Sequence, residues 1–418
     1  MPTLAQCARL AVAFGGGGLA TYAIRESASN EYTDTADLHT NVILASPQWA
    51  GTTAAVVAVA AVAMIQRRQS PPGAVIAAIA GTLILAAPKV LSMANTPSVT
   101  VNAIGAGLLL AAASFPAIGH RDRLISLVLG ITMAMMFFGT IGTWMAPTER
   151  WMDALPGDPF TVSLPLPLPL LLVIAIVLAL AAITTSPSSV GVHTRAVAVG
   201  MALPAVYLVL YATLSSRGSG TVSWTVGVGL ATAITLTAAW WLGPIGRLFL
   251  AGLAGAAATV NTLYMAGTAW WLVSALAVLL GIAAGRRYPR AMVVCGVVLM
   301  TLCTATALLP EVVTEIFYVA VQPAAVALTV TAILSTGPIY PAATISAATI
   351  PVSMTFFAVS APREAINYAR ETMEPAAQVI VVDSPLMSGV VVATIVAALS
   401  SITLLLLQRR HRAVLAQR

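Results

Sequence analysis

The sequence predicts an all-α fold, a polytopic membrane helix bundle of about fourteen transmembrane helices with both termini cytoplasmic. Three observations lead there. The 418 residues are 59% hydrophobic and only 8% charged, against roughly 25% charged in a soluble domain. Apolar runs near the 20 or so residues that cross a bilayer recur along the whole chain. Short arginine-rich loops separate alternate runs, as retention of basic loops in the cytoplasm requires. A single integral membrane domain over 1–418 follows. Abundant Ala, Val and Gly, with one lysine against nineteen arginines, point to a GC-rich bacterial genome and hence to the plasma membrane. The net charge of +6 is spread over short loops rather than gathered on one face. It therefore reads as topology, and no nucleic-acid partner is expected.

Taken in order, the first span is 4–24, read as an uncleaved helix because no sharp small-residue cleavage site follows it. Its Gly15–Gly18 run predicts either a flat face for close helix packing or a locally unwound segment lining a cavity. An extracytoplasmic loop, 25–47, comes next. Spans at 49–65 and 74–93 flank Arg67 and Arg68, and spans at 99–118 and 124–145 flank His120-Arg121-Asp122-Arg123. A second outer loop, 146–162, leads into Pro165, Pro167 and Pro169. Their alternation predicts an extended approach to the span ending near Thr184. The remaining spans are 196–214, 222–242, 247–264, 268–284, 291–309, 316–334, 338–360 and 386–408. Two short helices with a tight turn near Gly267 are needed over 247–284. Pro204, Pro323, Pro341 and Pro351 place bent or broken helices in the second half. A third outer loop covers 361–385, where 362–371 predicts a short interfacial helix, and 409–418 is a basic cytoplasmic tail.

Orientation is set by Gly285-Arg286-Arg287-Tyr288-Pro289-Arg290. An arginine at mid-bilayer costs about 2.5–3.5 kcal/mol on insertion scales, so this triple-arginine loop stays in cytoplasmic water. Alternation from it puts thirteen of the fourteen acids outside; only Asp122 falls inside. The one internal echo in the chain is this loop against Gly119-His120-Arg121-Asp122-Arg123.

No Asp, Glu or His falls within a predicted span, which weakens a proton- or cation-coupled mechanism. The candidate substrate-binding residues are therefore neutral or basic. Lys89, beside Pro88, either snorkels to the interface or meets an anionic lipid. Asn102, Asn261 and Gln322 are polar positions inside spans, as are Tyr207 and Tyr211, and any of them can also serve as interhelical glue. Cys7, Cys295 and Cys303 show no metal-ligand spacing, and no nucleotide or zinc motif is present. No metal or cofactor is expected.

Three functions remain open. The first is a permease or a lipid- or glycolipid-flipping carrier, with the bilayer and an anionic lipid or glycolipid as partners. The second is a non-catalytic scaffold with a membrane-protein partner in envelope assembly. The third is an enzyme. Glu26, Glu31, Asp34 and Asp37, placed just after the first span, resemble the first outer loop of polyprenyl-phosphate-sugar-dependent glycosyltransferases. That resemblance covers about a dozen residues and implies Asp34 or Asp37 as base or metal contact. The large terminal outer domain common in those enzymes is absent here. Fourteen helices also resemble one branch of the major facilitator superfamily. Its hallmark Gly-Asp-Gly-Arg-Arg loop is replaced here by Gln66-Arg67-Arg68-Gln69-Ser70-Pro71-Pro72-Gly73.

Overall fold

The computed structural model describes residues 4–29, 46–91, 95–136, 168–185, 190–215, 221–258, 271–306, 316–337, 339–354, 363–367, 381–385 and 387–416, together with 44, 93 and 313. The body is an all-helical membrane bundle, and among the described residues every apolar run expected to span contains helix, the run 338–360 as two short pieces. The first half contains α1 (Leu4–Ser29), α2 (Pro47–Arg68), α3 (Pro71–Val90), α4 (Asn95–Ser114), α5 (Arg121–Met136) and α6 (Leu168–Thr184). The second contains α7 (Thr194–Ser215), α8 (Thr221–Leu242), α9 (Gly246–Ala258), α10 (Trp271–Arg287), α11 (Pro289–Ala305) and α12 (Gln322–Thr336). It ends with α13 (Pro341–Ala348), α14 (Ile350–Ser353) and α15 (Met387–Ala416). Eight of the described helical segments are long and apolar enough to cross a membrane, and α6 and α11 are shorter apolar helices. Large aliphatic side chains stand exposed on α3 (Ile76, Leu83), α6 (Ile176, Leu180) and α10 (Leu276, Leu280). A surface of that kind is stable against lipid tails and not against water.

Each half packs round one central helix. The α4 region, Pro97–Ala117, is 78% buried and touches α1, α2 and α3, whereas Pro71–Pro88 on the periphery is 39% buried. In the second half Phe317–Thr336 is 72% buried and packs on α10 and α11. The Gly15–Gly18 run serves close packing. Helix α1 runs through it without a break, and a Cβ at Gly17 would lie 2.7 Å from the Leu127 carbonyl of α5. The unwound alternative is thereby excluded.

Three boundaries differ from expectation. Helix α1 continues through Ser29, so the first outer loop begins later than residue 25. The basic tail is helical to Ala416 as the end of α15. Instead of an interfacial helix, Arg363–Asn367 forms a strand, β1, antiparallel to β2 (Val381–Pro385), with Ala365 opposite Asp383. The partner carries Val381 and Val382, whose β-branched side chains favour extended backbone. Cross-strand pairing therefore overrides the local helix propensity. The expected turn near Gly267 and the Pro165–Pro167 approach lie outside the described residues. The apolar stretch Val222–Ala258 would reach about 55 Å as one helix. It is broken at Gly243, which sits at φ +63° before Pro244, and α9 then packs back on α8.

The basic loops gather at one end of the bundle, and their contacts form a ring. Gln66 Nε2 donates to the carbonyls of Val190 and Gly191, at 3.2 and 3.0 Å. His193 lies 5.3 Å from the Tyr340 ring. Arg121 donates to the Gly337 carbonyl at 3.2 Å, and Arg286 pairs with Asp122 at 2.7 Å, joining the two echoing loops. Gln408 Nε2 donates to the Arg290 carbonyl at 3.3 Å. The Arg410 guanidinium lies over Trp240 and that of Arg195 over Trp241, which returns the circuit to α7.

The break between α13 and α14 is held by glycines on three neighbours. A Cβ at Gly51 of α2 would run into the Val352 carbonyl, one at Gly200 of α7 into Ser346, and one at Gly252 of α9 into the Ala347 carbonyl. Gly15, by contrast, faces open space. Gly252→Ala is therefore expected to destabilise the protein by about 1–3 kcal/mol. Gly15→Ala should be neutral or stabilising, since alanine is about 1 kcal/mol the better helix former. Thermal denaturation of the two variants in the same detergent compares them.

Candidate functional site

The site is built on two helices that proline prevents from being regular. Pro351 has no N–H for the Ala347 carbonyl, so α13 stops at Ala348 and the chain turns at Thr349 before α14. The hydroxyls of the segment are turned onto its own backbone: Thr344 to Tyr340 O, Ser346 to Ala342 O and Thr349 to Ser346 O. In α12, Pro323 likewise leaves the Val319 carbonyl without its helical donor. The backbone there widens into a π-turn over Phe317–Val321, and Ser274 of α10 donates to Val319 O at 2.6 Å.

Between these two irregular helices lies a cavity with about 70 Å3 of water-accessible space. Helix α5 supplies Val128, Thr132, Met135 and Met136; α9 supplies Leu248, Ala251, Gly252 and Gly255. Helix α12 contributes Gln322, Val326, Thr329 and Ile333, and α13–α14 contributes Thr344, Ala347, Ala348 and Pro351. The lining is aliphatic and thioether with a few hydroxyls and one amide, and no described lining residue is ionisable. Such a wall suits an apolar or amphiphilic solute better than a desolvated ion.

Two sets of polar contacts bound the cavity. Away from the basic end, the π-turn directs Tyr318 so that its hydroxyl donates to the Met136 carbonyl, at 2.8 Å, at the end of α5. At the basic end the start of α5 is tied by Arg121 to Gly337 and by Asp122 to Arg286. Beside these, His120 is held below the usual imidazole range, first by partial burial and then by Arg123 and Arg9. Arg123 itself donates to the Pro116 carbonyl at 2.9 Å.

Of the residues singled out from sequence, Gln322 reaches the cavity. It is 4% exposed, and its Nε2 donates to the Ala258 carbonyl at 3.4 Å, a long bond. Asn102 is buried on α4 with no hydrogen-bond partner at Oδ1, and it is not among the residues that line the cavity. Tyr207 is interhelical glue, its hydroxyl 2.7 Å from Thr235 Oγ1. Lys89 stands in the last turn of α3, and its side chain lies outside the described residues, as do Asn261, Asp34 and Asp37. Thr329, Thr344, Tyr318 and Gly252 were not among the expected site residues. Threonines and glycines are too common in membrane helices to signal a site. Pro351, Pro323 and Gln322 were the residues that pointed to the region.

No protein-family model matches the chain, and no curated protein is significantly similar to it.

The Asp122–Arg286 pair is well exposed on both sides, at 65% and 46%. A double-mutant cycle of Asp122→Asn and Arg286→Gln should give a coupling below about 1 kcal/mol, fading in high salt. Thermal midpoints of the four variants at two ionic strengths measure it.

Proposed function

We propose that this protein is a carrier of the bacterial plasma membrane that moves an amphiphilic solute, a lipid or glycolipid, by alternating access. One observation carries the proposal. The cavity lies where α5 of the first half meets α9, α12 and a second-half helix broken within its apolar run, and is bounded at both ends by a few polar contacts. Discontinuous helices at the interface of two halves are where membrane carriers place their substrate sites.

The chemistry of the lining narrows the solute. Methionines 135, 136 and 300 give adaptable, polarisable walls. Gln322, Thr132 and Thr329 offer a few hydrogen bonds to a head group. A cavity of about 70 Å3 has room for about two waters, too little for a lipid, so carrying one requires the site to open further. Access from the basic end requires loss of the Arg121–Gly337 and Asp122–Arg286 contacts. Access from the other end requires Tyr318 to leave the Met136 carbonyl. The two contacts at the basic end are exposed and break at small cost, which suits a gate. The turn at Thr349 and the π-turn before Pro323 supply the places where backbone angles can change.

The test fills the cavity. Ala348→Phe and Ala251→Trp place bulk at half-buried lining positions. Each is expected to lower the flip rate of a fluorescent anionic glycerophospholipid in proteoliposomes by at least about tenfold, while monodispersity and thermal midpoint stay near wild type. Wild-type rates in both folded variants would overturn the proposal, as would a wild-type protein that moves no lipid above protein-free vesicles.

A further inference from the structure

A second recess opens at the basic end, between the end of α2 and the start of α7, with about 590 Å3 of water-accessible space. It is separate from the cavity and shares no lining residue with it. Its floor is apolar, with Ala63 and Met64 on α2 facing Val197, Ala198 and Met201 on α7. Its rim is polar, formed by the exposed Arg67, Gln69 and Thr194, with Gln66 buried in the wall beneath them.

Gln66 is the informative residue. It is only 3% exposed. Its amide nitrogen is already committed to the carbonyls of Val190 and Gly191, which fixes which way the amide faces. Its Oε1 is buried and has no hydrogen-bond partner. A buried acceptor without a donor is a standing cost to the fold. A ligand hydroxyl would remove that cost. The surroundings favour negative charge. Arg67 is exposed on the rim beside Gln66, and Thr194 opens α7, whose first N–H groups carry the positive end of the helix dipole. One of those N–H groups, that of Ala196, is already capped by His193 Nδ1 at 3.2 Å. Those of Thr194 and Arg195 precede it in the first turn.

We infer that this recess binds an anionic lipid whose head group bears a free hydroxyl, with phosphate toward Arg67 and the α7 N-terminus, hydroxyl on Gln66 Oε1 and acyl chain along Met64 and Met201. The inference does not depend on transport. A carrier would use the recess to collect or release its solute, and a non-carrier would use it as a lipid anchor.

Lipid retention tests it. The full-length protein is delipidated in detergent and titrated with phosphatidylglycerol or phosphatidylcholine, and bound lipid is counted by native mass spectrometry. Phosphatidylglycerol is expected to bind one copy at least about tenfold more tightly than phosphatidylcholine. Arg67→Gln and Ala198→Trp should each weaken it by about tenfold, the usual size of one lost charge-assisted hydrogen bond or a filled pocket. Arg68→Gln, one residue away and outside the recess, should leave it unchanged. Equal losses in Arg67→Gln and Arg68→Gln would reduce the effect to diffuse surface charge and overturn the site. Unchanged binding in Ala198→Trp would do the same, as would soluble glycerol 3-phosphate binding as tightly as the lipid, since the apolar floor would then contribute nothing. Failure of lipid flipping in cavity variants leaves this result untouched, so the two readings fail separately.

Discussion

Inside a bilayer every backbone carbonyl needs a donor, and Pro351 cannot supply one to Ala347. The course of α13 and α14 reflects that missing donor. The helix ends, Thr349 turns the chain, and the local hydroxyls bond to their own backbone. Because the segment is narrow and rich in alanine, its neighbours approach through glycine, at positions 51, 200 and 252 on three different helices. That close approach holds an irregular segment in place. The cavity borders this irregular segment, with α5, α9 and α12 on its other sides. Pro323 repeats the logic on α12, where Ser274 supplies the missing donor and the widened turn directs Tyr318 at α5.

Strength is unevenly distributed over this design. Packing of small residues along α1–α5, α3–α4 and α10–α12 is dense and has nowhere to give. The ring of contacts among the basic loops is different in kind. It joins six connections and the end of α15 through single hydrogen bonds, ring contacts and one exposed ion pair, each individually weak. Rigid walls with weakly latched ends are the combination that alternating access requires.

Much of the fold was legible in the sequence, because hydropathy is decisive when the solvent is lipid. The fourteen apolar runs and the broken second half follow from composition, loop arginines and prolines alone. The site was legible only in outline. Gln322 could be named because an amide in an apolar span is conspicuous, but nothing separated it from Asn102, which is equally buried and lies away from the cavity. Thr329 and Thr344 carry no signal, since threonine in membrane helices usually bonds to its own backbone, as both do here. The β1–β2 pairing was hidden for another reason. Residues 363–367 are good helix formers, and the strand that captures them begins more than ten positions later.

The central claim is that the cavity between α5, α9, α12 and the α13–α14 break holds an amphiphile. The most direct measurement is photocrosslinking in native membranes from a photoreactive residue at Thr344 in the cavity, with Leu180 on the outer surface of α6 as the reference. Thr344 is expected to capture one lipid or glycolipid class, distinct from the bulk mixture captured at Leu180. No adduct at Thr344, or the same mixture at both positions, would contradict it.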